Sequence, residues 1–149
     1  EVWLAFTGCE ESGCDGLLAL LAEHGAALQD ALLLDLELTG IGDQLVYMQA
    51  EGVVRRRTID PQVERLLQEA GAEFGLRPVS TRGTGAFTEA GCAWEHGFRR
   101  AACILAQRAG SPLMPEWHRL SDVPERLQVE TLGRTHALAW AILRRFDGA

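Results

Sequence analysis

The sequence lacks several features that would assign the chain to a specialised class of protein. It contains no apolar stretch as long as the about 18–20 residues that a membrane-spanning helix needs. Its four cysteines form no C-x-x-C pair, which argues against a zinc finger or zinc ribbon. Positive charge is scarce, since 14 basic residues face 21 acidic ones and the net charge is −7. An acidic chain with scattered arginines is a poor nucleic-acid binder, so we expect neither a membrane span nor a nucleic-acid partner.

What the sequence does contain is the composition of a soluble globular domain. The chain has 149 residues, of which 47% are hydrophobic and 23% charged, and this length fits one domain with a sizeable core. Short apolar runs alternate with segments of helical spacing, so we predict an α/β fold with a mostly parallel sheet flanked by helices. The predicted strands cover about residues 2–7, 31–38, 44–50, 76–80 and 101–106, the predicted helices about residues 12–28, 60–74, 87–96 and 124–146, and a loop about residues 81–85.

Two adjacent glutamates, Glu10 and Glu11, follow the first apolar run. A run that is apolar on both faces is typical of a strand buried in a parallel sheet, and ligands of such sheets bind beyond the carboxyl ends of the strands. Neighbouring carboxylates repel each other unless a cation lies between them or one of them keeps its proton. A second apolar run also ends in a carboxylate, Asp35. Acidic residues at two strand ends therefore predict a metal site at this edge of the sheet.

A histidine can complete the set of ligands. His118 lies in the loop that follows the strand predicted at about residues 101–106, and this loop opens at the same edge of the sheet. Zinc accepts carboxylate oxygens and imidazole nitrogens, and it lowers the pKa of a bound water to roughly 7. We therefore expect Glu11, Asp35 and His118 to bind metal. Glu10 would take the proton of the bound water as a general base.

Each of these residues also has a structural interpretation. Glu10 and Glu11 are acidic residues of the kind that the dipole at a helix N-terminus favours. Asp35 could cap a turn, and His118 could be an ordinary loop residue. The metal site is the favoured interpretation because all of the candidates lie at one edge of the predicted sheet.

Three segments of the chain carry a resemblance to a known family. They are FTGCEESG at residues 6–13, LLDLELTG at residues 33–40 and WHRLSD at residues 117–122. In this order they resemble the Gly-x-Glu-Glu-x-Gly segment, the Asp strand and the final His loop of a group of di-zinc exopeptidases. The group includes bacterial leucyl aminopeptidase, aminopeptidase Y and glutamate carboxypeptidase II. The resemblance covers essentially the whole chain.

The resemblance implies a role for each candidate residue. Glu10 would be the general base, Glu11 and His118 would bind one zinc ion, and Asp35 would bind a second one in the complete enzyme. The family also has a His-x-Asp motif and a bridging Asp upstream of the glutamate pair, and this sequence has no counterpart for them. We therefore expect residues 1–149 to be the C-terminal part of a catalytic domain. Alone, this part should bind one zinc ion or none and should be weak or inactive.

The function that the resemblance implies is zinc-dependent hydrolysis of a peptide or amide bond by an aminopeptidase-like exopeptidase. Related di-zinc amidohydrolases and carboxypeptidases rank second, because they insert a lid domain between the strand acid and the final His. Two other classes stay open: a glutaminyl cyclase-like acyltransferase with one zinc ion, and a non-catalytic homologue that acts as an interaction domain. The expected protein partners are the missing N-terminal segment or a second copy of the chain. The sequence leaves open the substrate specificity, the compartment and the role of Glu89, which replaces the Asp of a family Ser/Thr-Asp motif.

Overall fold

Strands and helices alternate along the chain in the computed structural model, which describes residues 1–52, 55–80, 87–111 and 114–148. Over these residues the helices are α1 (Asp15–Leu28), α2 (Pro61–Gly71), α3 (Glu89–Glu95) and α4 (Val129–Asp147), and the strands are β1 (Leu33–Leu36), β2 (Gln44–Glu51), β3 (Arg57–Thr58), β4 (Arg77–Ser80) and β5 (Ala101–Gln107). Short 3-10 turns lie at Glu10–Ser12, Ala72–Phe74 and Pro124–Arg126. The predicted α/β class is confirmed, and the loop predicted at about residues 81–85 lies outside the described residues. None of the described helices is both long and apolar enough to cross a membrane.

The sheet is mixed rather than mostly parallel, so this part of the prediction is wrong. Its order is β1-β5-β2-β3, and β4 also pairs with β2. The β1–β5 and β2–β4 pairs are parallel, whereas β2 runs antiparallel to both β5 and β3. The cause is the short link between β1 and β2, because a strand parallel to β1 would need a crossover of about a dozen residues or more.

The strand predicted at about residues 2–7 is not formed, since residues 1–9 are neither strand nor helix. The large apolar side chains of this segment are between 49% and 97% exposed. The segment is attached through Trp3, whose ring lies 5.3 Å from that of His24, and through Thr7, whose hydroxyl donates a hydrogen bond to α3. An apolar run becomes a buried strand only where a neighbouring strand and a layer on each face receive it. Here β1 ends the described sheet, pairs with β5 alone, and lines the same apolar groove as the segment.

The centre of the sheet forms the core of the molecule. Every residue from Ala101 to Ala106 in β5 is at most 3% exposed, and Val46 and Tyr47 of β2 are fully buried beside it. Helix α4 adds the buried side chains of Leu138 and Ile142 and packs against α2, while α3 packs on β5 and β1. Helix α3 therefore covers β1 and β5, and α4 packs beside α2.

The start of α4 is fastened to the turn between β1 and β2. The hydroxyl of Thr131 donates to the carbonyl of Gly42 at 2.6 Å, and the amide of Gly42 donates to the side chain of Gln128 at 3.0 Å. Gly42 has a φ of +138°, and a Cβ there would meet backbone atoms of Gln107 at 2.7 Å, so only glycine fits. These contacts fix α4 at the carboxyl end of β5.

Replacing Leu138 with alanine should strongly destabilise the protein. The Leu138 side chain is 0% exposed, and truncating a buried leucine leaves a cavity that costs about 2–5 kcal/mol. Leu132→Ala on the same helix is the matched control, because Leu132 is 40% exposed and its truncation should cost less than about 1 kcal/mol. Denaturant unfolding measures both losses, and equal losses would contradict this packing of α4.

Candidate metal centre

The structure brings Glu11 and His118 into direct contact. Oε1 of Glu11 lies 3.1 Å from Nε2 of His118, and the two side chains are 75% and 55% exposed. Glu11 sits in the 3-10 turn Glu10–Ser12, which is closed by hydrogen bonds from two following amides to the carbonyl of Glu10. Two segments that are more than 100 residues apart in the sequence therefore meet at this point.

His118 is presented by a loop with unusual backbone geometry. Both His118 and Glu116 have left-handed φ values, +57° and +59°. A non-glycine residue in this region costs about 1–3 kcal/mol and persists only where its surroundings hold it. The ring of Trp117 packs edge-on to the imidazole, with ring centroids 4.7 Å apart. The loop therefore restricts the orientation of His118.

Three carboxylates converge on the first turn of α3. Three consecutive amides each donate to one of them: Thr88 to Glu51 at 2.8 Å, Glu89 to Glu37 at 3.2 Å, and Ala90 to Asp35 at 3.3 Å. Amides at the start of a helix have no partner within the helix, and the helix dipole favours negative charge there. The start of α3 therefore gathers carboxylates from β1, from the residue after β1, and from β2.

Asp35 lies in a different group from the Glu11–His118 pair. It is inside β1 rather than beyond its end, and it forms with Glu37 and Cys103 a set of ligand atoms within 4.8 Å of one another. Among the described residues this is the one set of three or more such atoms, so the expected trio of Glu11, Asp35 and His118 is not that close.

The carboxyl groups of Asp35 and Glu37 affect each other's protonation. Burial raises the pKa of Asp35 to about 6. Burial, and then the charge of Asp35, raises the pKa of Glu37 to about 8. Burial also raises the pKa of Cys103 well above its usual range, which keeps this group a thiol.

The pKa of Glu10 is affected by charged residues of both the Glu11–His118 pair and the carboxylates at the start of α3. Partial burial raises its pKa, the charges of Glu37, Glu11 and Glu89 raise it further, and His118 acts in the opposite direction. A carboxylate whose pKa is raised towards neutrality is suited to exchange protons with a water or a substrate.

Glu89 has one carboxylate oxygen without a donor. Its Oε2 accepts the hydrogen bond from Thr7 at 2.7 Å, whereas its Oε1 is buried and has no hydrogen-bond partner among the described residues. Such an oxygen is costly unless a proton or a cation compensates it.

Sequence reasoning did not single out Glu37 or Glu51. The spacing of Glu37 could have identified it. Residues i and i+2 of an extended segment share a face, so Glu37 lies on the same face as Asp35. Glu51 carried no comparable signal, because its role depends on the contact of β2 with the start of α3, which is distant in sequence.

The donor atoms of the Glu11–His118 pair fit a zinc ion. Zinc binds imidazole nitrogen and carboxylate oxygen at about 2.0–2.2 Å, and a tetrahedral arrangement then keeps neighbouring ligand atoms about 3.3 Å apart. The observed 3.1 Å is close to this value, so the pair could supply two of the ligands of such an ion. The group of Asp35, Glu37 and Cys103 offers three ligand atoms within 4.8 Å of one another, and an ion bound there would displace the protons that burial favours on Glu37 and Cys103.

Comparison with known proteins adds no assignment to this geometry. The chain matches no protein-family model, no curated protein and no solved structure.

The metal-free protein should be more stable at about pH 5.5 than at about pH 8. Burial raises the pKa of Glu51 to about 7, and the pKa values of Asp35 and Glu37 are raised as well. The folded state therefore keeps protons that the unfolded chain has already released. The resulting stabilisation is complete below the unfolded-state pKa and is lost as the pH rises through the folded-state values. Denaturant unfolding in the presence of a chelator at the two pH values measures the change.

Glu51→Gln should remove on the order of 2 kcal/mol of this pH dependence, because the amide does not titrate. Glu125→Gln is the control, since it removes the same charge from an exposed side chain. An unchanged slope in Glu51→Gln would show that Glu51 does not titrate in this range.

Proposed function

We propose that the protein is a zinc-dependent hydrolase that cleaves a peptide or amide bond as an aminopeptidase-like exopeptidase. The observation that carries the proposal is the 3.1 Å contact between Glu11 and His118, with Glu10 adjacent in the chain. Stability does not account for this contact. An exposed ion pair contributes about 0–1 kcal/mol, whereas each left-handed residue in the His118 loop costs about 1–3 kcal/mol. A costly loop that presents an exposed imidazole to a carboxylate supports a binding role.

In this proposal Glu11 and His118 would hold one zinc ion, and Asp35 would be the ligand for a second ion. A zinc ion held there would lower the pKa of a bound water and polarise the carbonyl of the substrate. The carboxylate of Glu10 accepts the proton of the attacking water and later donates it to the leaving amine nitrogen. The raised pKa of Glu10 supports this role, because a group that titrates closer to the working pH can both take and give a proton.

A single-zinc acyltransferase of the glutaminyl cyclase type is the second candidate. The observation that favours it is that Asp35 is already engaged, because it accepts the amide of Ala90 and lies close to the carboxyl group of Glu37. These contacts leave Asp35 fewer lone pairs for a second ion. In this alternative the α-amine of an N-terminal glutamine attacks the carbon of its own side-chain amide and closes a ring. Glu10 would carry a proton from the attacking amine to the amide nitrogen, whose bond to that carbon breaks as ammonia is released.

Added zinc should raise the melting temperature, because an ion that binds only the folded state stabilises it by mass action. His118→Ala and Glu11→Gln should each lower the zinc affinity by roughly 100-fold, the upper end of the effect of removing even an outer partner. The matched control is the exposed pair Glu23–His24, whose side chains lie 3.6 Å apart. Substitutions there should leave zinc affinity unchanged, and equal losses in the two pairs would reject the metal site.

Glu10→Gln separates the base from the ligands. The amide keeps the shape of the side chain but cannot accept the proton, so turnover should fall about 10²- to 10⁴-fold while the zinc content stays normal. Glu11→Gln should lose zinc and activity together. Loss of metal in Glu10→Gln with its retention in Glu11→Gln would show that the two roles are reversed.

Two assays on the zinc-loaded protein distinguish the candidate reactions. Hydrolysis of aminoacyl p-nitroanilides reports exopeptidase activity, and ammonia release from peptides with an N-terminal glutamine reports cyclisation. Zinc bound through Glu11 and His118 in the full-length protein, with neither reaction detectable, would identify a non-catalytic metal-binding protein and reject both candidates.

A further inference from the structure

The side chain of Glu116 is buried in the loop that presents His118. It is 7% exposed, whereas His118 and the two residues after it are exposed. Burying a carboxylate is costly unless it is hydrogen-bonded. The partners of Glu116 therefore indicate what the residue does in this loop.

The carboxylate of Glu116 closes the loop around His118. The hydroxyl of Ser121 donates to Oε2 of Glu116, and Nη1 of Arg126 donates to Oε1 at 3.4 Å. The carbonyl of Glu116 accepts the amide of Arg119 at 3.0 Å. The imidazole is thus carried by a turn that is closed by both a side chain and the backbone.

Arg126 connects this turn to the sheet. It is the last residue of the 3-10 turn Pro124–Arg126, and shortly after it the amide of Gln128 donates to the carbonyl of Gly40 at 2.8 Å. Gly40 lies in the link that follows β1 and includes Glu37. Through Arg126 the Glu116 carboxylate therefore connects the His118 loop to the link that follows β1, which also carries Glu37.

We propose that Glu116 is the positioning residue of His118: through Ser121 and Arg126 it fixes the loop so that Nε2 of His118 faces Glu11. The inference rests on the proposed metal site but not on the reaction that takes place there. Glu116 is not itself a ligand in this account, because both of its oxygens have donors. Without this carboxylate the loop would have to be ordered during metal binding, and the zinc affinity would fall.

The test compares Glu116→Gln with Glu125→Gln, which changes an exposed glutamate in the neighbouring 3-10 turn. Zinc affinity is measured by competition with a chromophoric chelator at a temperature where every variant is folded. The NMR resonances of the His118 ring, assigned with His118→Ala, report its surroundings in the metal-free protein. Glu116→Gln should weaken zinc binding about 10- to 100-fold and shift the His118 resonances, whereas Glu125→Gln should do neither.

Two variants of Ser121 keep the proposal testable where Glu116→Gln does not fold. Ser121→Ala removes the hydroxyl donor and should weaken zinc binding, whereas Ser121→Thr keeps the hydroxyl and should retain the wild-type affinity. A lower melting temperature with unchanged zinc affinity and unchanged His118 resonances would overturn the proposal. A wild-type protein that binds no zinc would refute the proposed function, while the His118 resonances would still decide whether Glu116 positions the ring.

Discussion

The convergence of three carboxylates on the first amides of α3 is the constraint on which the rest of the site depends. Glu51, Glu37 and Asp35 arrive from two strands, and each is matched to one amide of the helix start. Because buried carboxylates need donors and the first amides of a helix need acceptors, the strands and the helix fix each other's positions. Partial burial, and then the charge of Glu37, raises the pKa of Glu10. One arrangement thus sets both the packing of α3 and the electrostatics of the neighbouring turn.

Most of the fold could be predicted from the sequence where burial alone decides the conformation. Residues 101–106 were predicted as a strand from a run that is apolar on both faces, and β5 does have neighbours on both sides. Residues 2–7 carry the same pattern and form no strand. An apolar pattern on both faces indicates that a segment can be buried, but it does not show whether a neighbouring strand is available to pair with it. The direction of β2 was equally hidden, because it depends on the length of one link rather than on composition.

The candidate site could be predicted only in part, for a related reason. The prediction placed Glu11 and His118 beyond strand ends on one edge of the sheet. The two side chains do meet, although no strand precedes Glu11. The end of β1 is set by its pairing with β5 at Leu36, which leaves Asp35 inside the strand and Glu37 just beyond it. No local pattern distinguishes these two acids before the pairing is known. Glu51 becomes part of the site through a contact with residues far away in the sequence.

Within the part of the chain that the structure describes, the outer edge of β1 has no partner strand, and this affects the conditions under which the protein can be handled. An unpaired edge strand is a template for pairing with another chain. Here the strand Leu33–Leu36 lines a groove together with exposed apolar residues near the N-terminus, and its one charged side chain is directed into the protein. Repulsion between molecules then rests on the net charge of −7, which disappears near the isoelectric point of about 5.1. The acidic conditions that favour the metal-free fold are therefore those under which its molecules are least protected from aggregation.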